Sequence, residues 1–405
     1  MIINVFENYK EALNLGPISL TRPVFNLRCG AFTYLERIQN IFPESEINLF
    51  VRNELSELTR SKFDDFGVNT EPLSKGIWLL ASVVWEKSMI EKIVDLHQSL
   101  YLCGGKIIGA NISEEDSNQW AKDGFDDSIL TNENLKQVEL PAKSMTYLWD
   151  CINENEHIIK MDSAQFGLGQ VHSERGEAVY MDCKENIYIG SNTVIQSGVV
   201  LDANAGPIII KDNTTVMACS YLEGPLVIDN DCLIKAGSKI YGGTSIGPGC
   251  KIGGEVTESI FQGRSNKQHD GFIGHAYMGE WVNLGAGTNN SDLKNNYTTV
   301  TVNVNGNVID SGSLFAGLFM GDHSKSGINT MFNTGTSIGV GCNVVGAGFP
   351  PKNVPSFSWV VNGKIRNYDY KKFLKTARIV KERRNLSISP EEKYLFQAIF
   401  NGTDS

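Results

Sequence analysis

Stepping by six from Ile210 meets Val216, Leu222, Ile228, Ile234, Ile240, Ile246 and Ile252, eight aliphatic residues in unbroken register. A period of six fits neither the 3.6-residue turn of an α-helix nor the alternation of a lone strand. It fits a short strand plus a turn, repeated, with one aliphatic side chain per repeat pointing inward. That is the hexapeptide signature of a parallel β-helix. Weaker series precede it (Ile189, Ile195, Leu201) and follow it (Phe272, Met278, Leu284; then Phe332, Ile338, Val344). Each coil can bury its aliphatics only against neighbouring coils, so the expected structure is a solenoid with a continuous core.

The solenoid cannot account for the whole chain. Of the 40 glycines, 30 fall in residues 161–355, 8 in residues 1–160 and 2 in residues 356–405. This shift divides the chain into three parts. Residues 1–160 read as α/β, with strands at "MIINVF", "EINLFVR" and "KGIWLLAS". Helical periodicity lies at "FTYLERIQNIF", "NELSELTRSKF" and "VWEKSMIEKIVDLHQSL". Such alternation predicts a parallel sheet with helices on its faces. Residues 356–405 read as a helical tail, with Tyr370, Phe373, Leu374, Ala377 and Val380 on one face.

The net charge of −10 disfavours a nucleic-acid partner. The tail runs the other way, with 10 Lys or Arg against 5 Asp or Glu. It could meet phosphate or an acidic neighbouring subunit, or simply form a solvated helix face. The 8 cysteines show no metal-ligand spacing and read as reduced core residues of a cytoplasmic protein. No segment approaches the length of a membrane span.

Two polar stretches interrupt the hexads, one over about residues 262–271 and one over about 289–307. Polar loops leaving a rigid coil are where sites tend to lie. The first carries His269, which can serve as a general base because neutral imidazole accepts a proton near physiological pH. The alternative is a capping or exposed turn residue. His275 reads as a turn residue, and His323 stays open between the two roles.

The stretches "GGEV", "SNKQHDGFIG", "NLGAGTNNSDLKNNY" and "GINTMFNTG" resemble the bifunctional N-acetylglucosamine-1-phosphate uridyltransferase and glucosamine-1-phosphate acetyltransferase family, in its variant bacterial branch. The resemblance covers roughly residues 1–355. It implies a sugar-nucleotidyltransferase-like (Rossmann-like) N-terminal domain and a left-handed parallel β-helix. It also implies acetyl-CoA as co-substrate, UTP or another nucleoside triphosphate, Mg2+ for the N-terminal domain, and a homotrimer. By the same resemblance His269 is the catalytic base and Glu255 orients it. Asn283, Phe272, Asp292 and Lys294 contact the sugar phosphate, and Ala286 and Ala347 line the acetyl-CoA groove. The sequence departs from the family on the sugar side, with Thr257 for a lysine, Phe272 for a tyrosine and Asp292 for an asparagine.

The first 30 residues lack the Gly-rich loop with which sugar-nucleotide pyrophosphorylases cradle phosphates. "LTRPVFNLRCG" stands there instead, so Arg22 and Arg28 are the candidate phosphate binders, guanidinium being a planar and permanent donor. The alternative is that both anchor a structural loop. No Asp or Glu follows the third strand before Glu86, so the metal ligands stay unknown. Two other functions are open: a nucleotidyltransferase whose β-helix only oligomerises, and a non-catalytic sugar-nucleotide-binding assembly protein.

Overall fold

The computed structural model describes residues 1–71, 73, 75–130 and 134–403. The N-terminal domain holds a seven-stranded sheet. Its centre, Ile2–Phe6, pairs in parallel with Glu46–Phe50 on one side and Ile77–Leu80 on the other. The sheet is mixed rather than all parallel, because Lys106–Asn111 runs antiparallel to both Ile77–Leu80 and Ser99–Cys103. The reason is local: Gly104 and Gly105, both at positive φ, turn a tight hairpin that reverses the chain between Ser99–Cys103 and Lys106–Asn111. The predicted helix over 84–100 is correspondingly short, Lys87–Ile93. The helix Tyr34–Ile41 begins on a capping box, Thr33 with Glu36.

The β-helix has three parallel sheets. The first stacks Glu174–Arg175, Val194–Ile195, Thr215–Val216, Leu233–Ile234, Lys251–Ile252 and Asn266–Lys267, and the second runs from Tyr180–Asp182 to Phe272–Gly274. The third has nine strands from Ile187–Ile189 to Asn353–Val354. Ile210 pairs with Ile228, and Ile228 with Ile246, so three hexads make one coil. All eight residues of the register are 0% exposed. At about 2 kcal/mol for each fully buried aliphatic, they form the central column of the domain's core. One position of the following series differs: Ile273, not Phe272, points inward. The first sheet resumes at Lys325–Ser326 and continues through Asn343–Val345 to Ser358–Val361, so the ladder runs past residue 355. Two tail helices follow, Tyr370–Glu382 and Pro390–Thr403.

The two interruptions differ from the expectation and from each other. The first stays in the coil, where Asn266–Lys267 pairs with Lys251–Ile252 and Lys267 takes an inward aliphatic position at 2% exposure. The second leaves the coil after Asn289–Asn290 and forms a hairpin, Thr301–Val304 with Asn307–Asp310. Its Val300, Val302 and Val304 join the N-terminal domain's core. That excursion therefore clamps the two domains together. Five of the eight cysteines are buried, and Cys219 is exposed.

The long helix Leu148–Asp162 lies against the third sheet. Asn155 accepts from the Gly30 amide at 2.7 Å and donates to the Gly243 carbonyl at 2.8 Å. Arg37 pairs with Asp162 beside it.

Candidate functional site

His269 lies in the turn between the first and second sheets, directly after Asn266–Lys267. It is exposed, and its imidazole makes no hydrogen bond among the described residues. Its carbonyl is held instead. The ammonium of Lys267 donates to it at 2.8 Å and to the Gly253 carbonyl at 2.8 Å. Burial pushes the Lys267 pKa down to about 8, against the pull of Asp270 and Glu255. The hexad pattern did not announce Lys267, which lies 15 residues after its partner Ile252 and so off the six-residue register.

The turns at the same edge stack along the solenoid axis, because Asn266 bridges Asn283, which bridges Lys325, which pairs with Asn343. Ala286 and Ala347 follow two of these strands, so the edge carries His269 and Ala286 at successive levels and Ala347 two levels further on. Ile328 (73% exposed) and Phe349 (57%) lie on it as well. Asn283 is exposed, with its Oδ1 3.5 Å from Asn266 Nδ2. The arrangement offers a free imidazole at one end of a ridge with small residues and exposed apolar side chains.

Other expected residues have different employment. Glu255 is paired with Lys239 at 3.7 Å and makes no contact with the His269 ring among the described residues, so it does not orient that ring within one chain. Phe272 is half-buried on the second sheet, with its amide bonded to Asn289 Oδ1 at 2.7 Å. Asp292 accepts from His275 Nδ1 at 2.9 Å, and Lys294 donates to the Thr299 carbonyl. Both are therefore committed to holding the excursion. His275 is more than a turn residue: its Nε2 meets Glu258 at 3.0 Å and Phe315 stacks on it at 4.8 Å. Burial alone would lower its pKa, but the bonds to Asp292 and Glu258 outweigh it and raise it to about 9. His323 is buried against Trp281, and burial pushes its pKa well down.

Arg22 and Arg28 are not phosphate binders in this structure. They are 4% and 3% exposed. Arg22 pairs with Asp322 and lies 3.5 Å from Glu280; Arg28 Nη2 lies 2.9 Å from Asp229. The Arg28 amide donates to the Tyr277 hydroxyl at 3.0 Å, and that hydroxyl donates to the Arg28 carbonyl at 2.7 Å. A permanent cation buried at a domain junction needs a carboxylate, and all three come from the β-helix.

In open α/β sheets, ligands bind outside the carboxyl ends of the strands. There Glu7 is taken by Arg52 at 2.9 Å and by the Val24 amide at 3.0 Å. The cavity beside it holds only about 10 Å³. A neighbouring cavity of about 260 Å³ is lined by Tyr9, Asn53, Asn69, Thr70, Asn118 and Lys122. No cluster of three metal-ligating side chains gathers among the described residues. No helix among them is long and apolar enough to cross a membrane.

The fold joins a mixed α/β sheet domain to a hexapeptide β-helix. Residues 3–170 match the sugar nucleotidyl transferase family. A bifunctional sugar-1-phosphate nucleotidylyltransferase/acetyltransferase of Sulfurisphaera tokodaii is 35% identical over 136 residues, 33% of this chain and 34% of that protein. The bifunctional protein GlmU of Trichodesmium erythraeum is 27% identical over 179 residues, 44% of this chain and 30% of that protein. The chain thus spans about a third of the length of these curated relatives. A solved UDP-N-acetylglucosamine acyltransferase of Francisella novicida aligns over 55% of this chain and 75% of its own, at 15% identity and a TM-score of 0.32.

Proposed function

We propose that this protein transfers the acetyl group of acetyl-CoA to the amine of glucosamine-1-phosphate at the β-helix edge, and that its N-terminal domain performs uridylyl transfer to give UDP-N-acetylglucosamine. The observation that carries the first half is the free, exposed imidazole of His269 on a carbonyl tethered by Lys267. As the amine attacks the thioester carbonyl, a ring nitrogen of His269 takes its proton, and the thiolate leaves with a proton from the medium. No covalent enzyme intermediate is needed. In the small-residue turn "NLGAGT" the Ala286 N–H is the backbone donor without a partner among the described residues, and it is the donor for the oxyanion.

Ala286 and Ala347 admit the coenzyme close to the backbone, and Asn283 contacts the sugar. With Thr257, Phe272 and Asp292 on the sugar side, a different amino sugar phosphate is the natural variant of this reading. The N-terminal half rests on the family match over residues 3–170. Since the crevice at Glu7 is filled, the cavity beside Asn53 and Asn69 is where a nucleoside would enter.

The reading includes a homotrimer, for which one face of the β-helix is left over. The N-terminal domain covers the third sheet and the tail covers the first, while the second sheet carries the exposed Tyr180 (59%). Packing on that face brings each His269 edge against a neighbour. Acetyl-CoA and UTP as substrates go with a cytoplasmic location.

The test is an acyl-transfer assay over a panel of amino sugar phosphates with the wild type and His269→Ala. Loss of about two to four orders of magnitude in rate supports the general base. A full-rate His269→Ala variant refutes it.

A further inference from the structure

The tail closes over the first sheet and leaves a cavity of about 360 Å³. Five cations line it: Lys251, Arg264 and Lys325 from the β-helix, Arg383 and Arg384 from the end of the tail helix. No carboxylate is in its lining. In a chain of net charge −10 that concentration of one sign needs a reason.

The partners of these cations do not neutralise them. Only Arg264 has a carboxylate, Glu280 at 2.8 Å, and Arg22 shares that same carboxylate. Arg384 donates to the Gly249 carbonyl at 3.0 Å and to Asn266 Oδ1 at 3.2 Å. Lys325 donates to the His323 carbonyl at 2.8 Å. These neutral acceptors fix the heads in place without cancelling charge. The side chains of Lys251 and Arg383 have no hydrogen-bond partner and no carboxylate within ion-pair distance among the described residues.

Like charges held together at the edge of a protein repel, and the repulsion grows as water is excluded. Lys251 registers it: burial first, then Arg384, Arg383 and Lys235, lower its pKa. Burial likewise lowers Lys325 to about 8. The free cavity is thus a cost to the folded chain that an anion removes. Arginine forks favour phosphate oxygens, to which they donate in pairs. The volume falls within the range of small-molecule sites. The indole of Trp281 forms part of the wall, with Arg264 5.7 Å from its centroid.

We propose that this cavity is a phosphate site, assembled jointly by the β-helix and the C-terminal tail, that takes a diphosphate or a similarly charged phosphate anion. The site uses Lys251 and Arg383 as free donors and Arg384 as a donor already oriented. The cavity borders the proposed acyl-transfer site, since Asn283 lines both, but Lys251 and Arg383 have no part in acyl transfer, so substituting them tests the phosphate site separately.

Isothermal titration of the full chain with inorganic pyrophosphate, at low ionic strength, tests it. Wild type binds, and the Lys251→Gln/Arg383→Gln double variant binds at least about 100-fold more weakly, roughly tenfold per cation. The ligand-free double variant melts at or above the wild-type temperature, because two repelling charges are gone. This separates loss of the site from loss of the fold. Competition by coenzyme A against pantetheine, and by UDP against uridine, identifies which molecule brings the diphosphate; displacement of pyrophosphate by either supports the site. No pyrophosphate binding by wild type at millimolar concentration, or equal binding by the double variant, overturns it.

Discussion

Asp229→Asn isolates the charge that holds the two domains together. Arg28 is 3% exposed, and its ion pair with Asp229 at 2.9 Å is the only one it makes among the described residues. Its Nη1 donates to the Ala31 carbonyl at 3.1 Å, while its Nε has no partner. The substitution keeps the shape and removes the negative charge, leaving the buried guanidinium, and the Lys211 ammonium that shares Asp229 at 3.2 Å, against neutral groups. Breaking a buried pair in this way costs about 3–5 kcal/mol. At about 2–4 °C per kcal/mol for a domain of this size, the first thermal transition falls by roughly 10 °C. Removing both charges, in Arg28→Met/Asp229→Leu, costs far less than the sum of the single changes, because the desolvation penalty goes with them. The assay is thermal unfolding by circular dichroism and tryptophan fluorescence at neutral pH, repeated across the acid range. Burial opposes ionisation of Asp229, but Arg28 and Lys211 outweigh it and hold its pKa below the ordinary carboxylate value. Its contribution is therefore complete above the unfolded pKa of about 3.9 and is lost as pH falls through the lowered folded value. A single variant within about 1 kcal/mol of wild type, or a double variant as damaged as the sum, refutes the reasoning.

His275, with its pKa raised to about 9, stays protonated at pH 7.5 in an NMR titration. A folded pKa above the unfolded one stabilises fully below about pH 6.5, and the gain disappears as pH rises through 9. Asp292→Asn moves that titration down; an unmoved titration removes the clamp from the account. His269→Ala, by contrast, leaves the melting temperature unchanged, because the exposed ring bonds to nothing among the described residues.

The hexads made the solenoid legible because their inward position is set by the chain's own period, whatever lies outside. That logic also located the turn at His269. It fails wherever the partner comes from elsewhere in the chain. Arg22 and Arg28 carry the right chemistry for phosphate, but the sequence does not say that Asp322 and Asp229, 300 and 201 residues later, face them. His275 and Asp292 are 17 residues apart, one coil, and become neighbours only through stacking. The mixed sheet turned on two glycines, Gly104 and Gly105, whose hairpin the alternation of strands and helices before them did not foretell. The excursion after Asn290 reads as a polar loop, yet its three valines alternate along one face of a hairpin and fill another domain's core.

Lys267 shows what the break in the hexads is for. Ile252 is its partner in the coil below, so an aliphatic would fit. A buried ammonium at that place costs the folded chain about 3 kcal/mol below pH 8, from the lowering of its pKa to about 8 from 10.5, and nothing above about pH 10.5, where it is neutral folded or unfolded. Lys267→Met removes that cost but strands two carbonyls, at about 1–3 kcal/mol each. The two effects oppose, and stability at pH 7 stays within about 2 kcal/mol of wild type. What the methionine cannot supply is the tether on the His269 carbonyl. If the tether positions the base, Lys267→Met lowers kcat for acyl transfer about tenfold or more and leaves KM for acetyl-CoA unchanged. A purely structural lysine would alter the melting temperature and leave kcat alone. Wild-type kcat in Lys267→Met therefore refutes the positioning role, and the exposed imidazole would have to find its geometry from a neighbouring subunit.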